Sequence, residues 1–250
     1  MRLAVLCDVH GNAPALRAVL ADPAFAGADA VVVGGDVVTG PMPGETLDLL
    51  AALDRPVRWV RGNADREAVE AFDRGDVDAA AHPGDPAARA GAFTAAAITR
   101  AQRDLLASFE ATVSLDGSLF CHGSPRGDDE IITALTCPQR LAPMLDAVSE
   151  RLVVCGHTHH RFDLRCGERR VVNAGSVGMP YEGRAGAFWL MVDDGEPQPR
   201  RTEYDVGAAV AAVRATGFPD AEDLIESSLL EPVAAEEAAR VFEGLATSAG

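Results

Sequence analysis

Short apolar runs rich in β-branched residues recur along the chain, each ending in polar or glycine residues: Leu3–Cys7, Ala30–Val33, Val57–Val60, Leu119–Cys121 and Leu152–Cys155. Continuous rather than alternating hydrophobicity predicts strands buried on both faces. Between the first two runs, Ala13–Leu20 follows Asn12 and carries Pro14 in its first turn, which predicts a helix opening. Between the second and third, Gly44–Leu53 has leucines at helical spacing. This alternation predicts an α/β fold with a largely parallel sheet.

The second half reads differently. Thr112–Leu115 and Ser118–Cys121 flank Asp116-Gly117, the signature of a tight hairpin. Arg161–Arg165 and Arg170–Asn173 predict another, turning at Cys166–Arg169. Gly186–Val192 and Arg200–Tyr204 follow, separated by a turn-rich stretch, Asp193–Pro199. The expectation is two sheets packed face to face with helices outside. Residues 73–91, rich in Ala, Gly, Asp and Pro, are expected to form an irregular insertion or lid, because Pro83 and Pro86 disfavour one continuous helix. Phe93–Phe109 is expected to return to helix. Residues 1–205 then form one domain. Residues 206–250 add a helical extension packed on it, with helices Val206–Ala215 and Ala234–Leu245 around a linker containing Gly217 and Pro219.

Composition narrows the function. The 250 residues carry 22 basic and 38 acidic side chains, a net charge of −16, and every basic residue is Arg. Such a balance argues against duplex nucleic acid or a membrane surface as partner, since both want a basic face. The five cysteines show no metal or redox spacing, and Cys7, Cys121 and Cys155 each end an apolar run. Reduced thiols, no signal segment and no membrane-length apolar run place the expected protein in the cytoplasm.

The chemistry lies at the strand ends. Asp8, His10 and Asn12 follow the first strand, Asp36 the second, Asn63 and Asp65 the third, His122 a later one, and His157 and His159 the next. In open α/β sheets these loops can converge on one crevice. Two carboxylates, four imidazoles and one amide suit two divalent ions, and mixed nitrogen and oxygen donors favour Mn, Fe, Co, Ni or Zn over Mg. Two dications less two carboxylates leave a surplus of two positive charges, and a bridging hydroxide still leaves one. That surplus would draw a small phosphate into an acidic protein. Hydrolysis of a phosphate ester fits best. A nucleotide-binding reading of the Gly-rich turns fails, because no Gly-x-Gly-x-x-Gly or P-loop pattern follows any strand.

Taken in order, Asp8-x-His10, Gly35-Asp36, Gly62-Asn63-x-Asp65, His122-Gly123 and Gly156-His157-Thr158-His159 resemble the calcineurin-like metallophosphoesterase superfamily, in particular its small bacterial and archaeal phosphodiesterase branch. The resemblance runs from about Leu3 to Asp193, and the segment Asn173–Gly178 is similar to a loop beside that branch's site. It implies a four-layer α-β-β-α sandwich of two mixed β-sheets. It further implies that Asp8, His10 and His159 hold one metal, that Asn63, His122 and His157 hold a second, and that Asp36 bridges them. The expected nucleophile is a metal-bridging hydroxide. Asn12, Arg126 and Arg161 are the expected substrate contacts, although Asn12 reads equally as a helix cap. Asp65 is expected to orient Asn63 or a neighbouring loop, His160 to stand behind the ligands or in solvent, and Tyr181 and Glu182 to line the rim. Many members carry a His, thought to protonate the leaving group, where this chain has Ala64, a change shared by the phosphodiesterase branch. The expectation is therefore a small-molecule phosphodiesterase with two divalent ions, Mn foremost. Three alternatives stay open: a phosphomonoesterase, a dinucleoside polyphosphate hydrolase, and a non-catalytic metal-bearing scaffold. Self-association is left open too.

Overall fold

A computed structural model describes residues 1–248. In chain order the strands are β1 (Arg2–Leu6), β2 (Ala30–Val33), β3 (Val57–Trp59), β4 (Thr112–Leu115), β5 (Ser118–Cys121), β6 (Leu152–Cys155), β7 (Phe162–Cys166), β8 (Arg169–Asn173), β9 (Ala187–Asp193) and β10 (Glu196–Thr202). The helices are α1 (Ala13–Ala21), α2 (Pro23–Ala26), α3 (Pro43–Ala51), α4 (Asn63–Arg74), α5 (Pro86–Ala97), α6 (Arg100–Ala107), α7 (Pro138–Met144), α8 (Val206–Ala215), α9 (Ala221–Leu224) and α10 (Ala235–Ser248).

Two five-stranded sheets form, in the orders β10-β9-β1-β2-β3 and β4-β5-β6-β8-β7. Within each, three neighbours run parallel (β1, β2, β3 and β5, β6, β8) and the outer pairings are antiparallel. The period-2 alternation of a strand explains the layers. From β1, Leu3 and Val5 pack between the sheets against Phe120, Val154 and Val172. Ala4 and Leu6 face the other way, into a core with Leu16, Val19, Leu47, Leu50 and Leu106 of the helices. The outer face of the second sheet, with Leu119, Val153 and Val171, is covered by Leu141, Met144 and Val148 in and after α7. Helix, sheet, sheet, helix is a four-layer α-β-β-α sandwich. Both faces of the central strands are covered, hence their unbroken apolar runs.

Several boundaries differ from the sequence-based expectation, each for a local reason. The last pair of strands is joined by Asp194-Gly195, both in the left-handed region, so the strand begins at Glu196 rather than Arg200. Pro197 and Pro199 are tolerated because β10 is an edge strand. The hairpin β7–β8 likewise turns on only Gly167 and Glu168. Residues 73–91 are not irregular throughout: Ala79–Ala81 form a 3₁₀ turn, and Pro86 occupies the first turn of α5, where Asp85 caps it. Phe93–Phe109 is two helices, not one. Ile98 and Thr99 are extended, and Thr99 and Gln102 form a capping box that restarts the chain as α6. The linker after α8 contains α9 and a π-helical stretch, Ile225–Leu230. A small fourth core, with Val213, Phe218, Leu224 and Leu229, joins this C-terminal part to Met42 and Met179.

Candidate metal centre

The parallel strands of both sheets point the same polar loops at one place. The loop after β1 is laced to the loop after β2 by Asp8 N–H to Gly35 O and His10 N–H to Asp36 O, both at 3.0 Å. The loop after β8 is laced to it in turn, through Val177 N–H to Cys7 O and Gly178 N–H to Asp8 O. Gly156 N–H reaches His122 O at 2.8 Å, and His157 N–H reaches the Asp8 carboxylate at 3.1 Å.

Among the described non-glycine residues, seven have φ in the left-handed region: Asp8, His10, Asp36, His157, His159, Asp116 and Asp194. The last two sit in hairpin turns, where this conformation is ordinary. The other five are candidate ligands. Holding a non-glycine residue there costs about 1 kcal/mol or more, and it persists only where the surroundings fix it. The backbone strain of this chain is thus concentrated in the loops that aim these side chains.

The side chains form two overlapping groups. Ligand-capable atoms of Asp8, His10, Asp36 and His159 lie within 4.8 Å of one another, and so do those of Asp36, His122 and His157. Asp36 belongs to both. Asn63 starts α4 beside them: its neighbour Ala64 donates N–H to Asp36 Oδ1 at 2.9 Å, and a Cβ on Gly62 would run into the same oxygen. Three imidazoles donate Nδ1–H to carbonyls, His10 to Thr39 and His159 to Met179 at 2.9 Å, and His122 to Gly34 at 2.8 Å. These bonds fix the tautomer that leaves Nε2 as a lone pair facing the centre.

That arrangement fits divalent cations. Nε2 of His10 lies 3.1 Å from Nε2 of His159, and Nε2 of His122 lies 3.1 Å from Asp36 Oδ2. Donor atoms bound at about 2.1 Å and at right angles stand about 3 Å apart. Asn63 Oδ1 and His122 Nε2 are buried with no hydrogen-bond partner. Such orphaned acceptors are expensive unless a cation completes them. The electrostatics agree. Burial opposes the charged form of Asp36, yet His122 and His10 hold its carboxyl far below the usual carboxylate range. Burial also opposes the His122 imidazolium, yet Asp36 and Asp8 raise it to about 10, while burial pushes His157 down to about 4 and lowers His10. The surplus negative charge of Asp36 and Asp8 thus makes His122 Nε2, the lone pair facing the centre, attractive to positive charge.

The remaining expected residues fall elsewhere. Asn12 caps α1, its Oδ1 accepting from Ala15 and its amide donating to Gly178 O at 2.9 Å, so both ends of the side chain are engaged. Arg126 is tied to Glu130, and Arg161 is forked onto Glu182 while lying over the Phe188 ring. Asp65, fully buried, holds the Asp36 loop rather than Asn63. His160 is buried too, its Nδ1 on Thr158 O. Tyr181 stacks on the His159 ring at 5.0 Å, and Phe242 of α10 lies 6.3 Å from both the His157 and Tyr181 rings. Nothing in the sequence near Phe242 marks it, because the contact depends on how α10 docks.

The calcineurin-like phosphoesterase superfamily domain is matched over residues 1–195. The chain belongs to this superfamily. A metallophosphoesterase from Sphaerobacter thermophilus is similar over 93% of this chain and 99% of its own, with 27% identity and a TM-score of 0.75. A hypothetical protein from Pyrococcus horikoshii OT3 is similar over 94% and 99%, with 21% identity and a TM-score of 0.77. A putative diadenosine tetraphosphatase shares the fold at 17% identity, with a TM-score of 0.53, over 81% of this chain and 94% of its own. Among curated proteins none matches the sequence. Superfamily membership implies divalent metal ions and phosphoester hydrolysis. No helix among the described residues is long and apolar enough to cross a membrane.

Proposed function

We propose that this metallophosphoesterase is a dinuclear phosphodiesterase acting on small esters, with Asp8, His10, Asp36 and His159 around one ion and Asp36, Asn63, His122 and His157 around the other. The observation that carries this reading is the shared Asp36 between two Asp/His groups, flanked by the orphaned acceptors Asn63 Oδ1 and His122 Nε2. Donors that mix imidazole, carboxylate and amide favour Mn²⁺ first, with Fe, Co, Ni or Zn as substitutes.

A metal pair bound there would polarise the ester and supply a water-derived nucleophile at neutral pH. The protein's own groups do the rest. Carbonyls of Gly34, Thr39 and Met179 orient the imidazoles, and Asp65 fixes the backbone turn that carries Asp36. Diester preference follows from what surrounds this machinery. Arg126 and Arg161 are neutralised by Glu130 and Glu182, which leaves little extra positive charge for a dianionic monoester. Ala64 offers no proton to a departing alkoxide, so turnover should favour esters with good leaving groups. The acidic surface disfavours long polyanions, and cytoplasmic action on small esters suits it.

The test is hydrolysis of bis(p-nitrophenyl) phosphate by metal-depleted protein reloaded with Mn²⁺. Turnover should exceed that of p-nitrophenyl phosphate. Absence of turnover with Mn²⁺, Co²⁺, Ni²⁺ and Zn²⁺, each bound at two ions per chain, overturns the reading and leaves the scaffold.

A further inference from the structure

A cavity of about 290 Å³ shares one candidate ligand, His10, with the metal centre, and the matched superfamily domain does not build it alone. One wall is α5, with Ala87 and Ala90. The other is the C-terminal part, with Phe218, Leu224 and Ser227, and Met179 closes the floor. The two walls are clamped together. Arg89 of α5 forks onto Asp220 at 2.8 and 3.1 Å, and Phe93 of α5 meets Phe218 edge to face at 5.3 Å. Along the far wall the chain runs as a π-helical stretch from Ile225, a conformation often kept at functional sites.

The lining says what the cavity accepts. It is mostly apolar, and roughly 150 Å³ is enough for a benzene ring, so a single- or two-ring substituent fits. Its polar groups are already committed, except one. Thr39 donates to Ala64 O, Ser227 to Asp223 O, and Asp220 is held by Arg89. Asp223 lines the cavity from an exposed position and has no ion-pair partner among the described residues, and no arginine lines the cavity. The free capacity is therefore an acceptor with a negative charge, which disfavours a second phosphate and favours a donor.

We propose that this cavity is the subsite for the organic group of the phosphoester: an aromatic or similarly apolar substituent, preferably bearing an amine or other donor at its outer end, with α5 and the C-terminal part as its specificity walls. The proposal rests on the metal centre being the phosphate site. It sets the substrate class apart from dinucleoside polyphosphates, whose additional phosphates would meet Asp223.

The test is calorimetric binding of non-hydrolysable phosphonates to the full chain carrying Mn²⁺, alongside turnover of bis(p-nitrophenyl) phosphate. Phenylphosphonate should bind about tenfold tighter than methylphosphonate, the gain expected from burying most of one ring. Ala87→Trp, at an exposed helical position, should reduce that ratio to about one. A 4-(aminomethyl)phenyl phosphonate should bind tighter than its 4-carboxyphenyl counterpart by about tenfold, and Asp223→Asn should remove most of that difference. Equal affinities of the phenyl and methyl compounds overturn the subsite, and no binding of either overturns the phosphate site on which it rests. A phenyl preference lost in Ala87→Trp without turnover keeps the subsite and overturns the catalytic reading instead.

Discussion

The Asp65 carboxylate accepts the backbone N–H of Asp36 at 2.8 Å through one oxygen and that of Val37 at 2.8 Å through the other. The same carboxylate takes the N–H of Gly62 at 3.2 Å. A side chain that binds no metal in the proposed assignment thus sets the turn on which the shared Asp36 sits. Asp65→Asn replaces one acceptor oxygen with a donor that faces N–H groups. Loss of a buried acceptor costs about 1–3 kcal/mol, and loosening a residue behind a ligand typically lowers metal affinity about 10–100-fold. Metal titration followed by isothermal calorimetry should show that weakening with the fold intact by circular dichroism. Unchanged affinity would mean the turn holds itself.

Gly62 approaches Asp36 from the other side. Its backbone dihedrals, φ −89° and ψ 164°, are open to any residue, so conformation does not demand glycine there. Space does: an added Cβ would strike Asp36 Oδ1 and crowd its backbone nitrogen. Gly62→Ala should therefore displace the shared carboxylate while α4 stays helical. The expected result is loss of one or both ions at stoichiometric loading and activity reduced by about 10²-fold or more. Full metal content in this variant would show that the loop can retreat.

Stability should report the metals independently of turnover. Ions that bind only the folded chain stabilise it by about 2.7 kcal/mol each at a hundredfold excess over Kd. For a chain of this size that is roughly 5–10 °C in Tm per ion. Differential scanning calorimetry with Mn²⁺ and with chelator should show the rise, and Asp36→Asn should lose most of it because both groups share that carboxylate. A rise of equal size in Asp36→Asn would move the binding site elsewhere.

What the sequence carried here, and what it hid, divides along physical lines. Runs such as Val31–Val33 and Val153–Cys155 announce strands because both their faces are covered. That the polar residues after five such runs meet was legible too, since parallel strands deliver their carboxyl ends to one edge. The left-handed backbone at Asp8, His10, Asp36, His157 and His159 was not, because it is imposed by hydrogen bonds between loops remote in sequence. The partners that orient the imidazoles are main-chain carbonyls of Gly34, Thr39 and Met179, which no side-chain pattern can encode. Pro86 misled for the opposite reason: a proline that starts a helix and one that breaks it look alike until the preceding Asp85 is seen to cap. For Arg126 and Arg161, expected as substrate contacts, the ion pairs to Glu130 and Glu182 could not be read from the sequence, since each partner is identified only by the fold of its loop.

The docking of α10 supplies the last prediction. Glu243 accepts hydrogen bonds from Thr133 and Arg140 at 2.6 Å and from Thr136 at 3.2 Å, pinning the helix that carries Phe242 to the side of His157. Burial alone would raise its carboxyl, but Thr133 and Arg140 outweigh that and lower it below the usual 4.5. A depressed carboxyl stabilises docking above the unfolded value and loses that contribution as pH falls through the folded value. The helix should therefore stay docked from neutral pH down to about 4.5 and loosen only below. Glu243→Gln removes the charge at every pH, so protection factors of α10 amides should fall about tenfold at pH 7. The native chain should show that fall only in acid. Hydrogen exchange read by mass spectrometry at pH 7 and pH 4 separates the two cases. Equal protection of native and Glu243→Gln chains at pH 7 would assign the docking to Ala238 and Ala239, which are buried on the same helix.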